Sequence, residues 1–482
     1  MNQAFTALSQ KADIWMREHR TEWIRDLQAV ARIPSVSRPD LAEPNAPFGP
    51  ACRQALDTAL AIGRGYGFST RDLDGYAGVL TLGDEADALG IFAHLDVVPA
   101  GEGWLYPPFG ATYLPDHEML IGRGVDDNKG SFVMALCVMR MLREFAVPLR
   151  RGVSLYLGVS EENGMPDMAA LLKTGYRFPS FSLVPDSRFP VNYGQKGSLK
   201  GYITAPAQGN LLSLEAGSAL NMVPARAVCE VLAEERDALS ALPSLPQAIR
   251  DRIRIQALDG AVRISASGAS GHAAHPEGSV NALHVLAEAL CGLGVLKGEC
   301  EKAVRGIALL SSDTDGRAIG AAYRDDVSGP LTVVHSAAAL KRGLLEVGFD
   351  CRSPITLSRE RLLSSFSAAW DRLGFAPKDL KVSDPYYLPP DDPRVLVLQD
   401  VYTSLTGRDD PPFTMGGGTY SRVVPNAVTF GAQMPVESPV RSVLPEGHGA
   451  AHGPDEALPL EKVETCARIY LAAVAALDGQ GF

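Results

Sequence analysis

The stretch KGSFVMALCVMRMLREF (residues 129–145) is apolar around most of a helical circumference. The run after it, VSLYLGVS (153–160), is apolar without alternation. A helix with no polar face and a strand with no polar side are both stable only inside a layered domain, where the strand is covered on both faces. The pattern recurs. GVLTLG (78–83), LGIFAHLDV (89–97) and SFSLVPDS (180–187) read as further strands, and residues 12–33 space Ile14, Trp15, Trp23, Ile24, Leu27 and Val30 as a helix does. This alternation predicts an α/β fold with a largely parallel central sheet flanked by helices.

Between about 196 and 385 the texture changes. Strand candidates GSLKGYITA, ARAVCEVLA, AVRISAS and LTVVHS outnumber helices, which are predicted over 279–294 and 358–374. After YYLPPDDPR the earlier style returns, and EKVETCARIYLAAVAAL predicts a closing helix. The expectation is a discontinuous catalytic domain, residues 1–195 and 386–482, with an inserted α+β lid domain over 196–385.

The chain has 482 residues and a formal charge of −11. That acidic balance argues against nucleic acid or an anionic membrane as partner, since phosphate binding needs a basic face. No apolar run reaches the ~18 residues of a membrane span, and the first residues lack a signal-peptide core. Seven cysteines are scattered with no CxxC pair, which reads as reduced thiols in a cytoplasmic protein.

In sheets of this kind, ligands collect at the carboxyl ends of strands. His94 in AHLDVVPAGEGW, Asp127 in GRGVDDNKG, Glu162 in SEENG, Asp186 in VPDS and His452 in AHGPDEAL form a sulfur-free N/O set suited to a pair of divalent ions, Zn²⁺, Mn²⁺ or Co²⁺. Asp96 lies two residues beyond His94 on the same side of the strand and is placed to accept its second ring N–H. Asp127 falls just before the helix opening at 129, with Asp126 as its rival. Glu161 and Glu162 are adjacent and face opposite ways, so one can hold metal while the other handles the proton of the attacking water. His272, in GASGHAAHPEG, sits in the inserted segment and is placed to donate to a developing oxyanion on lid closure; His275 is its weaker rival. MGGGTYSR (415–422) offers glycine N–H groups for an anion nest and lacks the GK[ST] of a phosphate loop.

Together AHLDVVPAGEGW, GRGVDDNKG, SEENG, VPDS, GHAAHPEGSVNAL and HGPDEAL resemble the dinuclear metallopeptidases that include aminoacylases, carnosinases, glutamate carboxypeptidases and succinyl-diaminopimelate desuccinylase. NMVP (221–224), DCRSP (350–354) and MGGGTYSR are similar to bacterial dipeptidases of the PepV type. The resemblance implies that His94 and Asp186 bind one ion, Glu162 and His452 the other, and that Asp127 bridges them. It implies Glu161 as general base, Asp96 as the group orienting His94, and His272 as the oxyanion donor. Asn221 and Arg352 would hold the substrate carboxylate, helped by Gly417, Gly418 and Thr419. His452 is chosen over His448 because HGPDE matches the family pattern, and the Asp127–Asn128 bond is expected to be cis. The implied activity is broad-specificity hydrolysis of dipeptides by a monomer carrying two divalent ions, Zn²⁺ by default with Mn²⁺ or Co²⁺ as rivals. An N-acyl amino acid deacylase or a carboxypeptidase is the alternative within enzymes. An inactive metal-binding homologue is the alternative outside them.

Overall fold

Seven strands of one nine-stranded sheet frame the site in a computed structural model of the chain, which describes residues 2–86, 88–435 and 439–480. They are β1 (Ser69–Leu73), β2 (Ala77–Leu82), β3 (Ala88–His94), β4 (Gly152–Gly158), β5 (Ser182–Val184), β6 (Val191–Gln195) and β7 (Ala427–Phe430). Their order is β1-β2-β4-β3-β5-β7-β6. The middle of the sheet is parallel: β4 with β3, β3 with β5, and β5 with β7. Its flanks are antiparallel, at β1–β2, β2–β4 and β7–β6. Every residue of β3 and of β4 is buried, as expected of strands covered on both faces.

The helix Lys129–Glu144 is buried from Lys129 through Leu142, and the closing helix spans Leu460–Gln480. Both contribute to one large apolar core with the sheet. The helical region at 12–33 is two helices, Asn2–Glu18 and Arg20–Ala31. The break is at His19, whose ring stacks on Trp15 at 4.1 Å and donates from Nδ1 to the Trp15 carbonyl at 2.9 Å.

By contacts the chain divides into two units. One comprises Met1–Tyr193, Leu388–Phe413 and Gly418–Phe482; the other comprises Gly194–Tyr387 and Thr414–Gly417. The second unit is built on an eight-stranded sheet whose neighbouring strands are all antiparallel. Helices Ala282–Leu293 and Arg359–Leu373 stand where the sequence predicts them. A third, Glu299–Leu310, was not signalled, because its buried face is made of Cys300, Ala303, Val304 and Ile307, several of them small. Among the described residues no helix is long and apolar enough to cross a membrane.

Candidate metal centre

Parallel register brings three chemical groups to one edge. His94 ends β3, Glu161 and Glu162 follow β4 after Val159–Ser160, and Asp186 follows β5 after Pro185. Because β4, β3 and β5 are adjacent and parallel, their carboxyl ends point the same way. Asp127 arrives from the loop before Lys129–Glu144, and His452 from a loop of the C-terminal segment.

Two triads result: His94, Asp127 and Asp186, and Asp127, Glu162 and His452. Asp127 belongs to both and uses a different oxygen in each. Its Oδ1 lies 3.1 Å from His94 Nε2, and its Oδ2 lies 3.1 Å from His452 Nε2. Asp186 Oδ1 is 3.8 Å from His94 Nε2, and Glu162 Oε1 is 2.9 Å from His452 Nε2. Donors held at the usual bond lengths around one tetrahedral ion stand about 3.4 Å apart, so these spacings fit a cation at each triad.

The charge balance fits as well. Burial alone would raise the pKa of Asp127, but hydrogen bonds from His452 and then His94 outweigh it and hold the carboxyl far below its usual range. Hydrogen bonds to Asp127 and Glu162 push His452 up to about 11. Burial works against a charged His94, yet its bonds to Asp127 and Asp96 leave its pKa well raised. Asp186 and Glu162 are pushed up by burial and then by the charge of Asp127. The carboxylates thus need positive charge, which imidazolium protons supply when no cation does, and a divalent ion can replace those protons. Sulfur-free donors suit Zn²⁺, Mn²⁺ and Co²⁺ alike.

Glu161 stands apart. It is 7% exposed, its Oε1 has no hydrogen-bond partner among the described residues, and burial followed by the charge of Asp186 pushes its pKa well up. Asp96 does two things. Its carboxylate accepts the backbone N–H of Glu161 at 3.0 Å and of Glu162 at 3.1 Å. The ring Nδ1–H of His94 reaches the Asp96 main-chain oxygen at 3.0 Å, nearer than the carboxylate at 3.4 Å. The expected carboxylate–imidazole bond is therefore mostly a main-chain bond, because the carboxylate is already directed at two amides.

The rivals are engaged elsewhere. Asp126 pairs with Lys462. His448 bonds to Asp455 at 2.6 Å. The Asp127–Asn128 peptide is cis. Asn128 Nδ2 donates to the Pro185 oxygen at 2.8 Å and to Asp186 Oδ1 at 3.1 Å.

Within the second unit, Asn221 and His272 lie on neighbouring segments: Ala273 N–H donates to the Asn221 oxygen at 2.8 Å, and Met222 pairs with His272. His272 Nδ1 accepts from Ala274 N–H at 3.1 Å, which places the proton on Nε2 as a free donor. Partial burial and then the charge of Arg352 hold its pKa below the usual value. His275 bonds back to the His272 oxygen through its own backbone N–H. Arg352 is locked by Asp350 through two bonds of 2.7 and 2.8 Å and donates to the Gly416 oxygen at 2.7 Å.

The glycine run behaves differently from expectation. None of Gly416, Gly417 and Gly418 has a positive φ, so the alternating-handed form of an anion nest is not built. Thr419 is 3% exposed, and its hydroxyl joins Ser421 and Thr429. The side chain faces the interior.

Several buried acids went unnoticed in the sequence. Asp167 accepts Val159 and Ser160 N–H, both at 2.9 Å, and the Tyr420 hydroxyl; burial raises its pKa to about 6. Asp455 accepts the N–H groups of Leu105 and Tyr106. Glu456 binds the backbone of the Asp127 loop. Their only signal was adjacency: Asp455 and Glu456 lie inside HGPDEAL, and Asp167 lies just beyond SEENG.

The model of Peptidase family M20/M25/M40 matches residues 90–476. The chain is 29% identical to "Putative dipeptidase" of Staphylococcus epidermidis, over 95% of this chain and 98% of that protein. It is 28% identical to "Putative dipeptidase YtjP" of Bacillus subtilis, over 94% of this chain and 97% of the relative. Among solved structures, the di-peptidase Dug1p of Saccharomyces cerevisiae superposes with a TM-score of 0.57 at 13% identity, covering 100% of each chain. Human carnosine dipeptidase 1 gives 0.55 at 14% identity, covering 98% of this chain and 100% of that one. At such identities the structural likeness bears on the fold alone.

Proposed function

The chain belongs to peptidase family M20/M25/M40, and from that premise we propose that this peptidase is a metal-dependent dipeptidase with two divalent ions. The observation that carries the reading is Asp127, which turns one carboxylate oxygen to each of two histidine-containing triads. The names of the relatives support dipeptides as the substrate class.

His94 and Asp186 would hold one ion, Glu162 and His452 the other, with Asp127 shared. When bound, such ions would polarise the scissile carbonyl and make water nucleophilic near neutral pH. Glu161 takes the proton of the attacking water at its carboxylate and returns it to the leaving amine nitrogen. Burial is the first cause of the raised Glu161 pKa and the charge of Asp186 the second; neutralising Asp186 and Glu162 would remove the repulsive part and bring that carboxylate toward a working range. Asp96 fixes the backbone from which Glu161 and Glu162 diverge. His272 donates from Nε2–H to the carbonyl oxygen as it gains charge. Arg352, pre-oriented by Asp350, takes the substrate carboxylate. That all seven cysteines are free thiols supports a reducing compartment, the cytoplasm.

Metal analysis coupled to a substrate panel tests the proposal. We expect two ions per chain and turnover of dipeptides above N-acetyl and N-succinyl amino acids. Preference for the acylated substrates points to a deacylase. Inactivity with added Zn²⁺, Mn²⁺ and Co²⁺ points to a non-catalytic homologue.

A further inference from the structure

One carboxylate that faces neither triad joins the two segments carrying Asp127 and His452. Glu456 is fully buried. Its Oε1 accepts the backbone N–H groups of Gly124, Asp126 and Asp127, each at 3.0 Å. Its Oε2 accepts from Arg123 Nη1 at 2.7 Å. The same guanidinium donates through Nη2 to the Ala100 oxygen at 3.1 Å and the His452 oxygen at 3.2 Å. It also lies over the Trp104 ring, 5.2 Å from its centre. A single ion pair therefore fixes the main chain at both Asp127 and His452. His452 needs such a hold, since its φ of +64° is a left-handed conformation that a residue with a side chain keeps only where its surroundings impose it.

The two triads depend on this pair unequally. His94 and Asp186 stand on adjacent strand ends and are braced by Asn128. His452 stands on a loop, and slippage of that loop against Asp127 opens the triad with Glu162 first. We infer that Glu456 and Arg123 are positioning residues that set the affinity of the Asp127–Glu162–His452 cation position and leave the other nearly unchanged. The inference rests on the two-ion reading above.

The test titrates Zn²⁺ into the full ion-free chain against a chromophoric chelator, alongside thermal melts. The variants are E456Q, R123M, their double and D478N. Asp478 is the control: it is 3% exposed and accepts the backbone N–H groups of Arg150 and Arg151, which precede β4 at the end away from Glu162. E456Q and R123M should each weaken one of the two ions by roughly 10–100-fold and move the other by less than about threefold. The double variant should be no worse than the weaker single, as expected of two members of one unit. D478N should lower the melting temperature with both affinities unchanged. Should E456Q not fold, R123M, which keeps an apolar side chain over Trp104, carries the test.

Wild-type affinity for both ions in E456Q and R123M overturns the inference, and so does equal weakening in D478N. A wild-type chain that binds only one ion overturns it together with the two-ion reading. The expected split without any dipeptide hydrolysis upholds the positioning role and overturns the proposed activity alone.

Discussion

Glu161→Gln should move stability and turnover in opposite directions. The wild-type carboxyl is buried, one oxygen has no partner among the described residues, and Asp186 repels it. A buried acceptor left unsatisfied costs roughly 1–3 kcal/mol. Glutamine fills the same volume, carries no charge and can turn its amide N–H₂ toward Asp186. Ion-free E161Q should therefore be more stable than wild type at neutral pH by about 1–3 kcal/mol, at about 2 °C in Tm per kcal/mol for a domain of this size. The pH sign follows from the raised pKa. The folded chain holds this proton more tightly than the unfolded chain, so its contribution is lost as pH rises from the unfolded value toward the folded one. E161Q flattens that decline. With ions restored, kcat should fall by roughly 10²–10⁴, the span of a lost proton-transfer group, or about 3–5.5 kcal/mol of barrier. Scanning fluorimetry, steady-state kinetics on a dipeptide and metal analysis read the three quantities. Turnover within tenfold of wild type, or loss of an ion, would refute the division of labour between Glu161 and Glu162.

Four further outcomes are expected. Ion uptake at pH 7 should release at least one proton per chain, because His452, at about 11, and His94 must shed theirs; calorimetry in two buffers of different ionisation enthalpy measures it, and zero release contradicts the charge balance. In the same ion-free chain the His452 pairing stabilises fully below the unfolded histidine value and is lost as pH climbs through about 11. Asp350→Asn should raise KM for dipeptides with a free carboxylate by about tenfold, one lost charge-assisted bond, and leave C-terminal amides unaffected; equal effects on both refute Arg352 as the carboxylate site. Chelation should abolish activity and lower Tm, by about 2.7 kcal/mol of stability when the displaced ion stood at a hundred times its Kd; an unchanged melt argues against ion binding to the native state.

Strand ends were legible because VSLYLGVS and LGIFAHLDV are continuous apolar runs that must stop where the chain turns polar, and His94, Glu161, Glu162 and Asp186 sit at those stops. His452 was different. No local periodicity marks it, and only the HGPDE pattern separated it from His448. The glycine run misled because composition reports permitted φ values, whereas the nest requires positive ones that Gly416–Gly418 do not adopt. The burial of Thr419 was not legible, because a hydroxyl looks the same in sequence whether it is exposed or bonds to Ser421. The acids Asp167, Asp455 and Glu456 stayed hidden for one reason. Asp455 and Glu456 accept from backbone N–H groups of remote loops and Asp167 from the amides that follow β4, and which amides lack a partner is a property of the folded chain. Small residues hid the helix Glu299–Leu310 by weakening the apolar stripe.

The position of β7 between β5 and β6 has a bearing on biosynthesis. Residues 182–184 and 191–195 leave the ribosome long before 427–430, so the sheet waits with a gap between β5 and β6, its amide edges unpaired on both sides of the slot. Nearly all of the second unit, from Gly194 to Tyr387, is made in that interval. Its antiparallel strands come from one stretch of chain and can pair without waiting. Closure of the larger sheet is thus a late event, and a release of synthesis before residue 430 leaves a chain with one finished unit and one aggregation-prone half-sheet.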